Sequence, residues 1–181
     1  VVYLVPDLEF ASREEKLRHQ AHFGVLQEYA RSGKLNELIL LSNKSLLEQI
    51  GAGPIRKYYE KVNHYIYSTF QNINYCENVD QDFGKIHEPK EISRISTIGY
   101  NSLEGEEVLL FPLDNITESC YYINVDEEDL DNDEGILPTC QQIVRENNGL
   151  ERHSSFAIWK SSEAENNYYV KHYTHYIQES K

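Results

Sequence analysis

What this chain lacks excludes a good deal. Its 181 residues contain no Met, a single Trp and three Cys. Apolar runs such as Leu38 to Leu41 are only four residues long, against about twenty for a membrane-crossing helix, so no helical membrane span is expected. Cys76, Cys120 and Cys140 cannot all pair within one chain. None belongs to a CxxC or to a zinc-like spacing, which predicts buried free thiols in a reducing compartment. The opening VVYLVPDLEF has neither the basic start nor the apolar core of a signal peptide. The expectation is a cytoplasmic protein, unless a processed segment is missing. Gly/Ser-rich and Pro-rich linkers are absent, and so are repeats. The length suits a single domain over 1–181, and the polar connection 72–91 is the one place for an internal boundary.

The most informative absence is of positive charge. No Lys or Arg stands between Arg94 and Arg145, while twelve Asp and Glu lie from Glu104 to Glu134. The whole chain carries a net charge of -13, and outside this interval acids and bases nearly balance. One segment holds the excess. Direct nucleic-acid binding is disfavoured, because a phosphate backbone would be repelled.

What is present is enough for a core. Apolar residues make up 40% of the chain and aromatics 12%, with 14 Tyr among them. Val1–Val5 reads as a strand. Ser12 and Glu15 form a capping box, after which Leu17, Ala21, Val25 and Tyr29, with Leu26 and Ala30 beside them, mark an apolar helix face. Gly33 ends that helix, and Leu38–Leu41 reads as a second strand, parallel to the first. A short helix over 44–50 runs into Gly51-Ala52-Gly53-Pro54. That stretch lacks the Lys-Ser/Thr of a phosphate loop and the third Gly of a dinucleotide fingerprint, so it reads as a helix-breaking connection. Residues 55–70 form a helix with an aromatic stripe. Strands are expected at 92–99, 107–113 and 120–125, a short helix after Leu137, and a hairpin from 155–160 and 168–177. The fold class expected is α+β, with the N-terminal helices on one face of a mainly antiparallel sheet built largely from the C-terminal half.

Two functional readings follow. In the first, the acidic stretch is a docking face for a basic protein partner, which it would steer in electrostatically. Asp126, Glu127, Glu128, Asp129, Asp131, Asp133 and Glu134 supply the charge in a loop, and Tyr121 and Tyr122 the contact area. A non-catalytic inhibitor or regulator of the immunity or antitoxin type, directed at a nuclease, is its concrete form. In the second, the C-terminal histidines are catalytic. His153-Ser154-Ser155 and His172-Tyr173-Thr174 resemble the paired His-X-Ser/Thr motifs of two-histidine phosphoesterases, although in that family the motifs lie in separate halves of the domain. The resemblance implies a small hydrolase using His153 and His172. No metal or cofactor is called for. Asp129, Asp131 and Asp133 are spaced like the first ligands of a calcium loop, but Glu134 stands where Gly is needed and Cys140 where a bidentate Glu is needed.

Overall fold

A computed structural model describes residues 1–51, 54–103, 105, 107–146, 153–161 and 166–179. The chain runs β1 (Val2–Val5), α1 (Arg13–Arg31), β2 (Leu38–Ser42), α2 (Asn43–Ile50), α3 (Ile55–Asn78), β3 (Phe83–Lys85) and β4 (Ile95–Ser102). It continues with β5 (Val108–Leu109), β6 (Glu118–Asp126), α4 (Glu127–Asn132), α5 (Ile136–Glu146), β7 (His153–Ser161) and β8 (Asn167–Thr174). The strands form one sheet in the order β1-β2-β4-β8-β6-β7-β3, with β5 on β4.

The sheet is mixed, which corrects the expectation of a mainly antiparallel one. β1, β2 and β4 run parallel, as do β6 and β7, while β8 is antiparallel to both β4 and β6. The expected C-terminal hairpin does not form. β6 lies between β7 and β8, pairing with each over seven residues or more. The reason is burial: β6 is apolar on both faces, and such a strand belongs inside a sheet rather than at its edge. Reaching a parallel β7 from β6 then requires a crossover, which α4 and α5 supply.

Helices cover both faces rather than one. Alternate residues of the same strands enter different cores. Ile39, Leu41, Ile98, Tyr122 and Trp159 face α3 through Val62, Ile73 and Cys76. Tyr121, Ile123, Ile158 and Val170 face α5 through Cys140, Ile143 and Val144. Leu38, Leu40 and Ile95 face α1 through Phe23 and Ala30. All three cysteines are buried free thiols.

Local signals place the helices well. Ser12 caps α1 in a full capping box with Glu15, and Gly33, just past its end, has φ +77°. α2 stops at Gly51, whose φ is +71°; Ala52 and Gly53 of the expected connection lie outside the described residues. α3 runs on to Asn78, taking up the first part of the expected connection. The acidic stretch is a short helix at 127–132, not a loop. The Asp126 side chain accepts from the Glu128 amide, and three acids occupy the first turn, where the helix dipole favours them.

The expected face of α1 is rotated, so that Leu26 and Ala30 meet the core and the rest of the stripe does not. Leu17, Val25 and Tyr29 of α1 are each about half exposed, whereas His19, Phe23, Gln27 and Ala30 are buried. Gln27 is satisfied inside by the C-terminal segment: its Nε2 donates to the Gln178 carbonyl (3.0 Å), and its Oε1 accepts from the Gln178 amide (2.6 Å). His19 Nδ1 is held by the Tyr3 hydroxyl at 3.2 Å, and its ring packs against Tyr3 and Phe23, which also stack on each other. No helix among the described residues is long and apolar enough to cross a membrane.

Candidate functional site

The residues singled out from the sequence do not converge. Tyr121 and Tyr122 are 0% and 2% exposed, so neither offers surface to a partner. Tyr121 packs beside Tyr168 and His172, and the Tyr122 hydroxyl donates to Glu77 Oε1 at 2.8 Å. The acids divide by task. Asp126 caps α4, Asp129 accepts from Asn166 Nδ2 at 2.6 Å, and Asp133 accepts from the Gly135 amide at 2.7 Å. Glu127 pairs with Lys160. Glu128, Asp131 and Glu134 are exposed.

His153 is exposed at the start of β7, whereas His172 is completely buried. His172 Nδ1 shares a hydrogen bond with Ser119 Oγ at 2.7 Å, and Nε2 shares one with Glu107 Oε1 at 2.8 Å. A serine, an imidazole and a carboxylate in line resemble a nucleophile–base–orienter set. Access decides against that use. Ser119 is 1% exposed, and the cavity it shares with His153 and Ser155 holds about 40 Å³, room for little more than a water. The line was not visible in the sequence because its members come from a loop and two strands far apart in the chain.

Larger concavities lie elsewhere on the molecule, two of which bear on function. The roomier, about 640 Å³, sits under the C-terminal end of α3, with Tyr122, Trp159 and Tyr173 behind it and Glu77, Asp80 and His87 at its rim. Its size suits a small molecule, but its thiols are not nucleophiles near neutrality. Burial pushes Cys76 up to about 12 and Cys120 up to about 11, and the reactive species is the thiolate. Above it, Lys171 clamps this end of α3 to the sheet through Glu77 (3.7 Å) and Glu37 (3.1 Å), and Ser96 Oγ donates to Glu37 at 2.6 Å.

The second concavity, about 430 Å³, lies beyond the carboxyl ends of the parallel strands β1 and β2. Pro6 to Glu9, Lys16, Gln20 and Lys44 line it. In open α/β sheets this is where ligands bind, because strand ends and helix N-termini leave a crevice lined by loops. β1 leads directly into the Pro6–Glu9 loop and α1, and β2 leads into α2, whose N-cap Ser42 accepts from the Ser45 amide. Behind Lys44, Asn43 Oδ1 accepts from the Tyr58 hydroxyl at 3.2 Å, tying α2 to the first turns of α3. The crevice thus offers two ammonium groups for an anion, two carboxylates (Asp7 and Glu9) for hydroxyls, and the Gln20 carboxamide alongside. The sequence held no sign of it, since its residues match no motif.

No family model and no curated protein matches the chain. Solved structures do match it in fold. A structure of an empty FtsZ dimer from M. jannaschii superposes with a TM-score of 0.68 at 9% identity, over 96% of this chain and 53% of that one. A GTPγS-form protofilament of TubZ from Bacillus thuringiensis serovar israelensis gives 0.68 at 16% identity, over 96% and 53%. GDP-bound monomeric CetZ1 from Haloferax volcanii gives 0.59 at 15% identity, over 97% and 54%. The chain spans about half the length of these structures. Their likeness overturns both functional expectations drawn from the sequence, the immunity-type inhibitor and the hydrolase built on His153 and His172: the fold is that of FtsZ, CetZ and TubZ.

Proposed function

We propose that the protein binds a guanine nucleotide and assembles with copies of itself in a nucleotide-dependent way. One observation carries the reading: over nearly its whole length the chain shares its fold with proteins whose structures are described as a GDP-bound monomer and as a GTPγS-form protofilament. The crevice at the carboxyl ends of β1 and β2 supports it. Lys16 and Lys44 suit phosphate oxygens, for which ammonium groups act as point charges. Asp7 and Glu9 suit ribose hydroxyls, as an acidic residue does in other sheets of this kind. Gln20, which lines the crevice, carries both a donor and an acceptor for a base edge. Assembly is supported by the half-exposed Leu17, Val25 and Tyr29 on α1 and by Val2 and Leu4 on β1, the terminal strand, since edge strands and apolar stripes are surfaces that proteins usually cover.

The test is a titration of the whole protein with fluorescent GTP and with GDP, alongside sedimentation with each nucleotide and with none. Saturable binding and nucleotide-dependent pelleting are expected. Losing a charge-assisted contact costs about 1.5–3 kcal/mol, so Lys16→Ala and Lys44→Ala should each weaken binding by roughly tenfold or more. Absence of both saturable binding and nucleotide-dependent pelleting would overturn the reading.

A further inference from the structure

At the opposite edge of the sheet a groove of about 470 Å³ runs between β3 and α4. Its floor is apolar: Ile158 of β7, Leu130 of α4 and Leu137 of α5, with Phe83 standing beside them 48% exposed. Its rim is acidic, formed by Asp82, Glu127, Asp131 and Asp133 against the single base Lys160. β3 is the terminal strand and, among the described residues, pairs only with β7. An apolar trough with a rim of one sign has a defined complement.

We propose that this groove binds an extended basic segment of a second protein, one carrying lysine or arginine around a single large apolar side chain. Charge complementarity selects the occupant. A nucleic acid would meet four carboxylates, and an acidic or purely apolar segment would leave them unanswered. The groove already holds one cation in this manner. Lys160 reaches across to Glu127, and its pKa is raised, first by the hydrogen bond to Glu127 and further by the charges of Glu127, Asp82 and Asp131. The acids of the rim therefore act together on an ammonium group placed among them. The apolar side chain of the segment would lie against Phe83 and Leu130, and its basic side chains on Asp131 and Asp133. Of the acids read from the sequence, Glu127, Asp131 and Asp133 enter the groove. Phe83 takes the anchoring place that the buried Tyr121 and Tyr122 cannot fill. The inference is independent of nucleotide binding, which lies at the other edge of the sheet.

The experiment measures fluorescence anisotropy of a labelled peptide Lys-Arg-Phe-Lys-Lys on the whole protein, with a Phe-to-Ala peptide and an all-acidic peptide as controls. Salt is varied from about 0.05 to 0.2 M, across which screening changes markedly. The Phe peptide should bind in the micromolar range, the Ala peptide about fivefold or more weaker, and the acidic peptide not at all. Phe83→Ala should weaken the Phe peptide to the level of the Ala peptide without altering the salt dependence. Asp131→Asn with Asp133→Asn should weaken it several-fold and flatten the salt dependence. Lys160→Ala, which removes the resident cation, should tighten it about threefold. Equal binding of the Phe and Ala peptides, or indifference to Phe83→Ala and Lys160→Ala alike, would mean charge attraction without a site and would overturn the proposal. So would self-association of the protein that these substitutions abolish, which would make a second copy the occupant. Should Phe83→Ala fail to fold, the opposite signs expected for Lys160→Ala and the Asp pair still decide. Nucleotide titration on the same variants separates failure here from failure of the assembly reading.

Discussion

The protein places carboxylates in two very different settings. Around α4 they are numerous, close together and mostly in water, answered by one lysine. Beneath α3 there are two, Glu37 and Glu77, gathered around Lys171, whose side chain is only 9% exposed. The first group fixes the net charge and the second fixes a helix to the sheet. Number of charges and structural weight run in opposite directions, because a charge matters to stability in proportion to the water it has given up. Exposed charges are screened and contribute little individually.

The largest break in that comparison should come from Lys171→Ala. It removes the cation shared by Glu37 and Glu77 while leaving each its hydroxyl donor, Ser96 and Tyr122, and a cost of about 2 kcal/mol is expected by equilibrium denaturation, as for loss of a charge-assisted contact. Loss of the same size as a surface charge change would show the clamp to be ornamental. A second, smaller effect tests an interior group that titrates. Burial holds His19 below the ordinary histidine value, with His22 adding to the shift. A depressed pKa means the folded state binds its proton less readily. Stability is therefore full above about pH 6.5 and declines as pH falls toward the folded value. His19→Phe should flatten that decline, read from denaturation midpoints at neutral and mildly acidic pH. An unchanged slope would assign the acid sensitivity elsewhere. The smallest effect belongs to α4. Asp131→Asn should change stability by no more than about 0.5 kcal/mol in either direction, while still shifting the salt dependence of peptide binding. A large destabilisation would make this acid structural after all.

Much of the local structure was legible in the sequence. The Ser12 capping box, the turn glycines Gly33 and Gly51, and the parallel β1–α1–β2 unit are all where local chemistry puts them, because caps and turns are decided by neighbours within a few residues. The buried face of α1 was legible only in Leu26 and Ala30. Leu17, Ala21, Val25 and Tyr29 form the better apolar stripe, yet the fold buries His19 and Gln27, since partners distant in the chain supply hydrogen bonds there: Gln178 to both ends of the Gln27 amide and Tyr3 to His19 Nδ1. The candidate crevice was equally hidden. Lys16 and Lys44 are ordinary lysines until two parallel strands end beside each other.

The sequence alone determined the segregation of charge and most element types, for composition and short-range periodicity are properties of the chain itself. It also determined that the acids from Asp126 onward would stay at the surface, since so many carboxylates without bases cannot be desolvated together. Only the tertiary structure decided that β6 should lie between β7 and β8, that helices should cover both faces of a mixed sheet, and that Tyr121 and Tyr122 should be core rather than contact. Those outcomes rest on which apolar surfaces bury one another across the whole chain, and no local pattern records that choice.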